Sequence, residues 1–307
     1  VHNLSPELAT EFDSFLLTLD HLHPDELGNY ASFLTGIRRD HDSAEAFYRR
    51  AIDADTKNAT HLGNYASFLT GIRKDHDSAE AFYKRAIDAD PKNATHLGNY
   101  AIFLKNIRRD YDSAETFYKR AIDADPKHAT NLGNYASFLA AVRKDSAAAE
   151  TYCKLAIEVD VKDASSHLGN YGQFLIGGGR VNDGLHHLRR AWSNLDKTEV
   201  GNATEFAYSF WLGTCLLGSE EPVWGRAFKY LIEKGFSRHV WNFDAMLAEA
   251  EKKLTPADFK YAKALASAFL DESQVPALEK FPRWKKLQPL DPALVNPDGT
   301  IREAKKT

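Results

Sequence analysis

Apolar positions along much of the chain alternate between steps of three and four. Leu62, Tyr65, Ala66 and Leu69 fall at i, i+3, i+4 and i+7, which predicts a helix from about Ala59 to Ile72. Ala79, Phe82, Tyr83, Ala86 and Ile87 predict a second, with Asp75 or Asp77 placed to cap it and Pro91 closing the pair. Each such pair reads as a helical hairpin. Ala66, Ala79 and Ala86 lack bulk and let its helices approach closely, whereas Tyr65 and Phe68 leave on a flank that one hairpin cannot bury alone.

The pattern is periodic over a longer interval. The string Leu-Gly-Asn-Tyr begins at Leu27, Leu62, Leu97 and Leu132, 35 residues apart, and returns at Leu168 after 36. Residues 26–60 and 61–95 are identical at 31 of 35 positions, which points to recent duplication. The fourth unit has Cys153 in place of the second-helix aromatic and Val161 for Pro. The fifth, with Leu168, Tyr171, Gly172, Leu175, Gly184, Leu188 and Ala191, is weaker.

The phased set Leu62, Tyr65, Ala66, Leu69, Ala79, Tyr83, Ala86 and Pro91 resembles the tetratricopeptide repeat family. Leu97, Tyr100, Ala101, Leu104, Ala114, Tyr118, Ala121 and Pro126 repeat it. The unit exceeds that family's usual 34 residues by one, best placed around Gly71 to Lys74, where Ile72 is expected to reach back into the hairpin core. The resemblance implies an all-α fold, a right-handed superhelical solenoid of hairpins with terminal capping helices. The expected organisation is a capping helix in residues 1–24, with Leu8, Phe12, Phe15, Leu16 and Leu19 apolar, and five hairpins over 25–195. A degenerate sixth hairpin and helical cap follow in 196–272, and a loose, Pro-rich basic tail in 273–307. Helices are expected over 203–217, 223–234, 239–253 and 256–270.

All five tryptophans, Trp192, Trp211, Trp224, Trp241 and Trp284, lie at or beyond the end of the fifth unit. That third reads as a bulky cap or a continuous second domain before a partner surface. The segment Phe281 to Leu287 suits either docking to another subunit or folding back to bury Trp284.

In this architecture the first helix of each hairpin lines a concave face. Asn29, Asn64, Asn99, Asn134 and Asn170 then form a ladder of carboxamides, each able to donate to and accept from a peptide backbone. Ser32, Ser67 and Ser137 would add hydrogen bonds, and Thr60, Thr95 and Thr130 would line one side. The alternative is that each Asn ties neighbouring hairpins together or recurs through duplication alone. The family's carboxylate-binding subclass places cations where this chain has Gly, Asn, Ser and Thr, so that specificity is not implied.

Composition narrows the function further. A net charge of -4 and a pI near 6.3 give no global drive toward nucleic acid or anionic membrane. The basic pairs Arg38-Arg39, Arg73-Lys74, Arg108-Arg109 and Arg143-Lys144 would form a stripe, but Asp40, Asp75, Asp110 and Asp145 follow them directly and Asp42, Asp77 and Asp112 lie near, so local neutralisation is expected. Two cysteines make no disulfide framework or zinc site, and the twelve histidines, including His21-x-His23 and His186-His187, lack metal-ligand spacing. No nucleophile or phosphate-loop motif occurs, and Cys153 reads as an inert core residue. Asn58-Ala59-Thr60, Asn93-Ala94-Thr95 and Asn202-Ala203-Thr204 match the glycosylation sequon, but read as helix caps.

The amino terminus lacks a basic flank and apolar run, and no stretch is long enough to span a bilayer, so a cytoplasmic protein is expected. The starting Val1 fits a removed initiator or an excised piece of a longer protein. The resulting expectation is a non-enzymatic protein-interaction scaffold or adaptor without metal or cofactor, binding a protein or peptide but neither nucleic acid nor membrane. It would act as a monomer or as the regulatory subunit of a hetero-complex. Two alternatives stand beside it, the sensor region of a longer enzyme and a self-assembling structural repeat protein.

Overall fold

The structure is a computed structural model that describes residues 23–160, 164–195, 200–218, 222–235 and 243–301. The expected capping helix at residues 5–19, His21 and Trp241 lie outside the described residues. The described chain is helical throughout apart from turns and one isolated bridge between Val295 and Ile301. It divides into two compact units, Val1–Phe138 and Leu139–Thr307. This boundary differs from the expected break near residue 195.

The first unit is a row of hairpins. Helices α1 (Pro24–Phe33) and α2 (His41–Ala54) form the first, α3 (Ala59–Phe68) and α4 (His76–Ala89) the second, α5 (Ala94–Phe103) and α6 (Tyr111–Ala124) the third, and α7 (Ala129–Phe138) ends the unit. Ala66, Ala79 and Ala86 are fully buried at the crossing of α3 and α4, as their size requires. Between hairpins the aromatics interlock. Tyr48 of α2 lies 5.8 Å from Tyr65 and 5.4 Å from Phe68 of α3, and Tyr83 repeats both contacts with Tyr100 and Phe103. Exclusion of these rings from water holds one repeat to the next.

The thirty-fifth residue has a definite place. Each first helix of the early hairpins changes from α to π geometry in its last turn, at Leu34–Arg38, Leu69–Arg73 and Leu104–Arg108. The amides of Lys74 and Asp75 both donate to the Leu69 carbonyl, so one extra residue is looped out without stranding it. The chain then reverses through Arg39, Lys74 and Arg109 at φ of 56°, 58° and 58°, in the left-handed region that ordinarily favours glycine. The widened turn also overturns the expectation for Ile72. It points outward at 37% exposure, and Ile37 at 62%.

Caps complete the hairpins. Asp75, rather than Asp77, accepts the Ser78 amide at 3.1 Å, and Asp40 and Asp110 do the same one repeat away. Asn58 and Asn93 cap α3 and α5, as their sequon positions led us to expect. Asn202, by contrast, falls inside a helix that starts at Val200.

The second unit begins with a fourth π turn, Leu139–Arg143, and α8 (Ser146–Val159). Three antiparallel pairs follow, α9 (Ser165–Gly177) with α10 (Val181–Asn194), α11 (Val200–Leu216) with α12 (Pro222–Glu233), and α13 (Asp244–Lys253) with α14 (Pro256–Leu270). Gly172 and Gly184 allow α9 and α10 to meet backbone to backbone, since a Cβ on Gly172 would lie 2.8 Å from the Gly184 carbonyl oxygen. The core beyond is aromatic. Phe210 stacks on Trp224 at 4.0 Å, and Trp192 meets Trp224 edge to face at 5.1 Å.

The segment expected to be a loose tail is packed against this core. Leu278, Trp284, Leu290 and Val295 are buried, and Trp192 Nε1 donates to the Val295 carbonyl at 3.0 Å. Lys229 Nζ donates to the Trp284 carbonyl at 3.0 Å, and Arg283 pairs with Asp258 at 2.7 Å. Its apolar side chains have too much area to leave in water, so the folded-back alternative holds for Trp284.

Candidate functional site

The first helices of the hairpins supply the surface that matters. In α3, Leu62, Tyr65, Ala66 and Phe68 face inward, while Thr60, Asn64 and Ser67 share the remaining strip. Adjacent first helices approach closely because the glycine of Leu-Gly-Asn-Tyr leaves room for the next repeat. A Cβ on Gly28 would overlap His61, one on Gly63 would overlap His96, and one on Gly98 would overlap Asn131. These three residues are 3 to 4% exposed and serve the stacking itself. Asn131 Nδ2 donates to the Ala94 carbonyl at 2.9 Å, whereas neither ring nitrogen of His96 has a hydrogen-bond partner among the described residues. His61 Nε2 stands 3.2 Å from an Asp25 oxygen, outside hydrogen-bond geometry. Burial holds the His96 imidazole below its ordinary pKa, partly opposed by Asp90.

The ladder asparagines behave differently from Asn131. Asn29 is exposed, and Asn64, Asn99 and Asn134 are half-buried at the same place in successive repeats. Asn170 is half-buried at the matching place in the second unit. The carboxamides of Asn64, Asn99 and Asn134 make no hydrogen bond with other described residues. Tying of hairpins, the alternative use considered for them, falls instead to Asn131. The serines are partly spent. Ser67 donates to the Gly63 carbonyl at 3.1 Å and lies 3.2 Å from the Tyr83 hydroxyl, Ser32 has the same two partners in Gly28 and Tyr48, and Ser137 donates to Gly133. With its proton committed, such a hydroxyl offers a ligand only a lone pair. Thr60, Thr95 and Thr130 are exposed, and Thr95 Oγ1 lies 3.2 Å from His128 Nε2.

The basic pairs split into two roles. Arg73 reaches back to the preceding hairpin, pairing with Asp42 and Glu45 at 2.6 Å each and donating to the His41 carbonyl. Arg108 does the same with Asp77, Glu80 and His76. Tyr65 and Tyr100 hydroxyls donate to the same two glutamates, which Arg49 and Lys84 also contact. Burial alone would raise the Glu45 pKa, but the Arg73 and Arg49 guanidinium groups hold it below the usual carboxylate value. Neutralisation is thus carried by acids of the neighbouring repeat. Asp40, Asp75 and Asp110, the acids next in sequence, cap helices instead. The cleft between α2 and α3, lined by Glu45, Arg49, Tyr65, Arg73 and Phe82, is where this network sits.

The second unit has both a junction network of the same kind and a buried polar cluster. Glu150 receives Lys154, Tyr171 and Arg180, which together hold its pKa down to about 2. Gln173 Nε2 donates to Glu205 at 2.7 Å and to Ser209 at 3.0 Å, all buried. Burial pushes the Cys153 thiol up to about 12 and the Cys215 thiol to about 11, which leaves neither a ready nucleophile. Among the described residues no group of three or more side chains could hold a metal ion, and no helix is long and apolar enough to cross a membrane.

Lys105 has no counterpart in the other repeats, so recurrence does not single it out. The useful signal is where a repeat departs from its neighbour. From the second repeat to the third, Ser67 becomes Ile102 and Thr70 becomes Lys105 on the ladder strip.

A family model described as tetratricopeptide repeat matches residues 72–93 and 108–128, which cover the second helices of the second and third hairpins. Among solved structures, the chain is similar to a thermophilic tetratricopeptide-repeat protein of Thermus thermophilus, at 15% identity and a TM-score of 0.52, covering 61% of this chain and 98% of that one. It is also similar to Tom70 of yeast, at 14% identity and a TM-score of 0.53, covering 84% of this chain and 50% of that one. No curated protein matches the sequence. At such identities the likeness is one of fold.

Proposed function

The chain is a member of the tetratricopeptide repeat family, whose hairpin arrays act as protein-interaction scaffolds, and from that premise we propose that it captures an extended peptide segment along its first-helix strip. The carboxamides of Asn29, Asn64, Asn99 and Asn134 bracket the ligand backbone, with Thr60, Thr95 and Thr130 along one side and the serines as acceptors. Asn170 offers the same group in the second unit. One observation carries this reading. Carboxamides recur at one position per repeat with no hydrogen bond to other described residues, so they can bond a ligand without breaking the fold.

The chain then works as a non-enzymatic adaptor or regulatory subunit that binds a protein partner. Its two free cysteines suit a reducing compartment such as the cytoplasm. The test is to pan a display library of random peptides against the intact chain and an Asn64/Asn99/Asn134 triple Ala variant, with circular dichroism on both. Peptides selected by the intact chain should bind the variant at least about tenfold more weakly while helicity is unchanged. Equal affinity would place binding outside the strip.

A further inference from the structure

A groove built of near-identical repeats has a register problem, because a backbone held by equivalent carboxamides is held equally well one repeat along. The third hairpin breaks that equivalence. Ile102 stands where Ser32, Ser67 and Ser137 stand in the other repeats of the first unit, and Lys105 stands where Thr35 and Thr70 do.

Both changes leave a loss that the fold does not recover. Thr35 and Thr70 donate to the carbonyl oxygens of Ala31 and Ala66, and Tyr48 and Tyr83 have serine partners. Tyr118, the third member of that tyrosine series, is fully buried, and its hydroxyl has no hydrogen-bond partner among the described residues now that Ile102 occupies the serine position. Lys105 is half-buried on the last turn of the same helix and forms no ion pair with any described carboxylate. Its surroundings add to the cost. Burial pushes the ammonium below its ordinary pKa, and the Arg109 guanidinium four residues on pushes in the same direction.

Duplication explains the residues that recur but not the ones that changed. A partly dehydrated cation without a counter-ion recovers its lost solvation when a ligand supplies the charge. Building on the groove reading above, we propose that Lys105 fixes the register of the bound segment by pairing with an acidic side chain of that segment, beside an apolar neighbour received by Ile102. Lys105 is therefore a specificity residue, and the preferred ligand is an extended peptide with a carboxylate next to an aliphatic residue.

The experiment uses three N-acetylated hexapeptide probes titrated into the full chain at about 50 mM salt, where screening is modest. They are amidated hexaglutamate, amidated hexaglutamine and hexaglutamine with a free carboxyl terminus. Amidated hexaglutamate should bind roughly tenfold more tightly than either hexaglutamine, and Lys105→Gln should erase that advantage. Lys74→Gln, which removes an exposed turn cation, should leave it within about twofold. Equal binding of amidated hexaglutamate and hexaglutamine, or an advantage that survives Lys105→Gln, overturns the proposal. An advantage for the free-carboxyl peptide matching that of hexaglutamate overturns the assignment to a side chain. The Asn64/Asn99/Asn134 triple Ala variant separates this from the groove reading. If it loses hexaglutamine binding while Lys105→Gln changes nothing, the groove stands and the register residue falls; if no probe binds the intact chain, both fall.

Discussion

The two units bury their apolar faces by the same stacking of helical hairpins and share one polar device, an arginine held on two carboxylates, yet they differ in how much aromatic surface and how many polar side chains the fold itself consumes. In the first, the inward faces are small and repetitive, Arg73 and Arg108 each tie a junction through two carboxylates, and an uncommitted carboxamide recurs on the first helices. In the second, four tryptophans are buried, and Trp192, Lys229 and Tyr208 donate to backbone carbonyls within the same unit. Polar side chains spent on the fold cannot also hold a ligand. On the proposed reading, the aromatic unit chiefly supplies stability and the strip of the repeated unit carries recognition.

That assignment can be broken most forcefully at Trp284. Trp284→Ala empties a fully packed site and removes a ring against Lys229, at a cost of about 3–5 kcal/mol, and it should lower the melting of the second unit while leaving peptide binding by the first intact. Calorimetry beside a binding titration reads both, and a lost affinity with unchanged melting would assign this segment to docking.

A smaller effect is expected at the junctions of the first unit. Arg108→Ala frees Asp77 and Glu80 and should lower the unfolding midpoint slightly, with part of that loss recovered by Lys, which is charged but cannot hold both carboxylates. Urea unfolding of the two variants checks it. Ile102→Ser should act in the other direction, restoring a partner to Tyr118 and raising stability by about 1 kcal/mol, and a loss of stability would show that the hydroxyl is not aimed at residue 102.

Lys74→Gly relieves a left-handed backbone but removes a cation from a helix end, for a net gain of about 0.5 kcal/mol in the same assay. Acid sharpens the comparison with the least intervention. His96 has a folded pKa below its ordinary value, so as pH falls past about 6.5 the unfolded chain takes up the proton first and stability declines toward the folded pKa. His96→Asn, which copies Asn131 at the next junction, should flatten the thermal-melting profile between neutral and mildly acidic pH.

Much of this was legible in the sequence, and the gaps have physical causes. The hairpins followed from Leu62, Tyr65, Ala66, Ala79 and Tyr83, whose spacing admits one packing. Ile72 did not, because a helix in strict α geometry would have turned it inward, and only the π turn sends it out. The acid beside each arginine pair was legible but its partner was not, since Arg73 bonds to acids 31 and 28 residues earlier. Asn131 and Asn134 are the same residue type three positions apart, and helix phase alone makes one a tie between repeats and the other an open group. The tail misled through its prolines, which here start a short helix at Pro282 that carries the buried Trp284 and a turn at Pro292.

The most direct test of the central claim is a nitrogen-15 spectrum of the side-chain NH2 and indole NH groups as a panned peptide is added. The account predicts shifts at the Asn64, Asn99 and Asn134 carboxamides in one-to-one proportion, with Asn131 and the Trp192 and Trp284 indoles unmoved. Shifts confined to the indoles, with the three carboxamides unmoved, would contradict it.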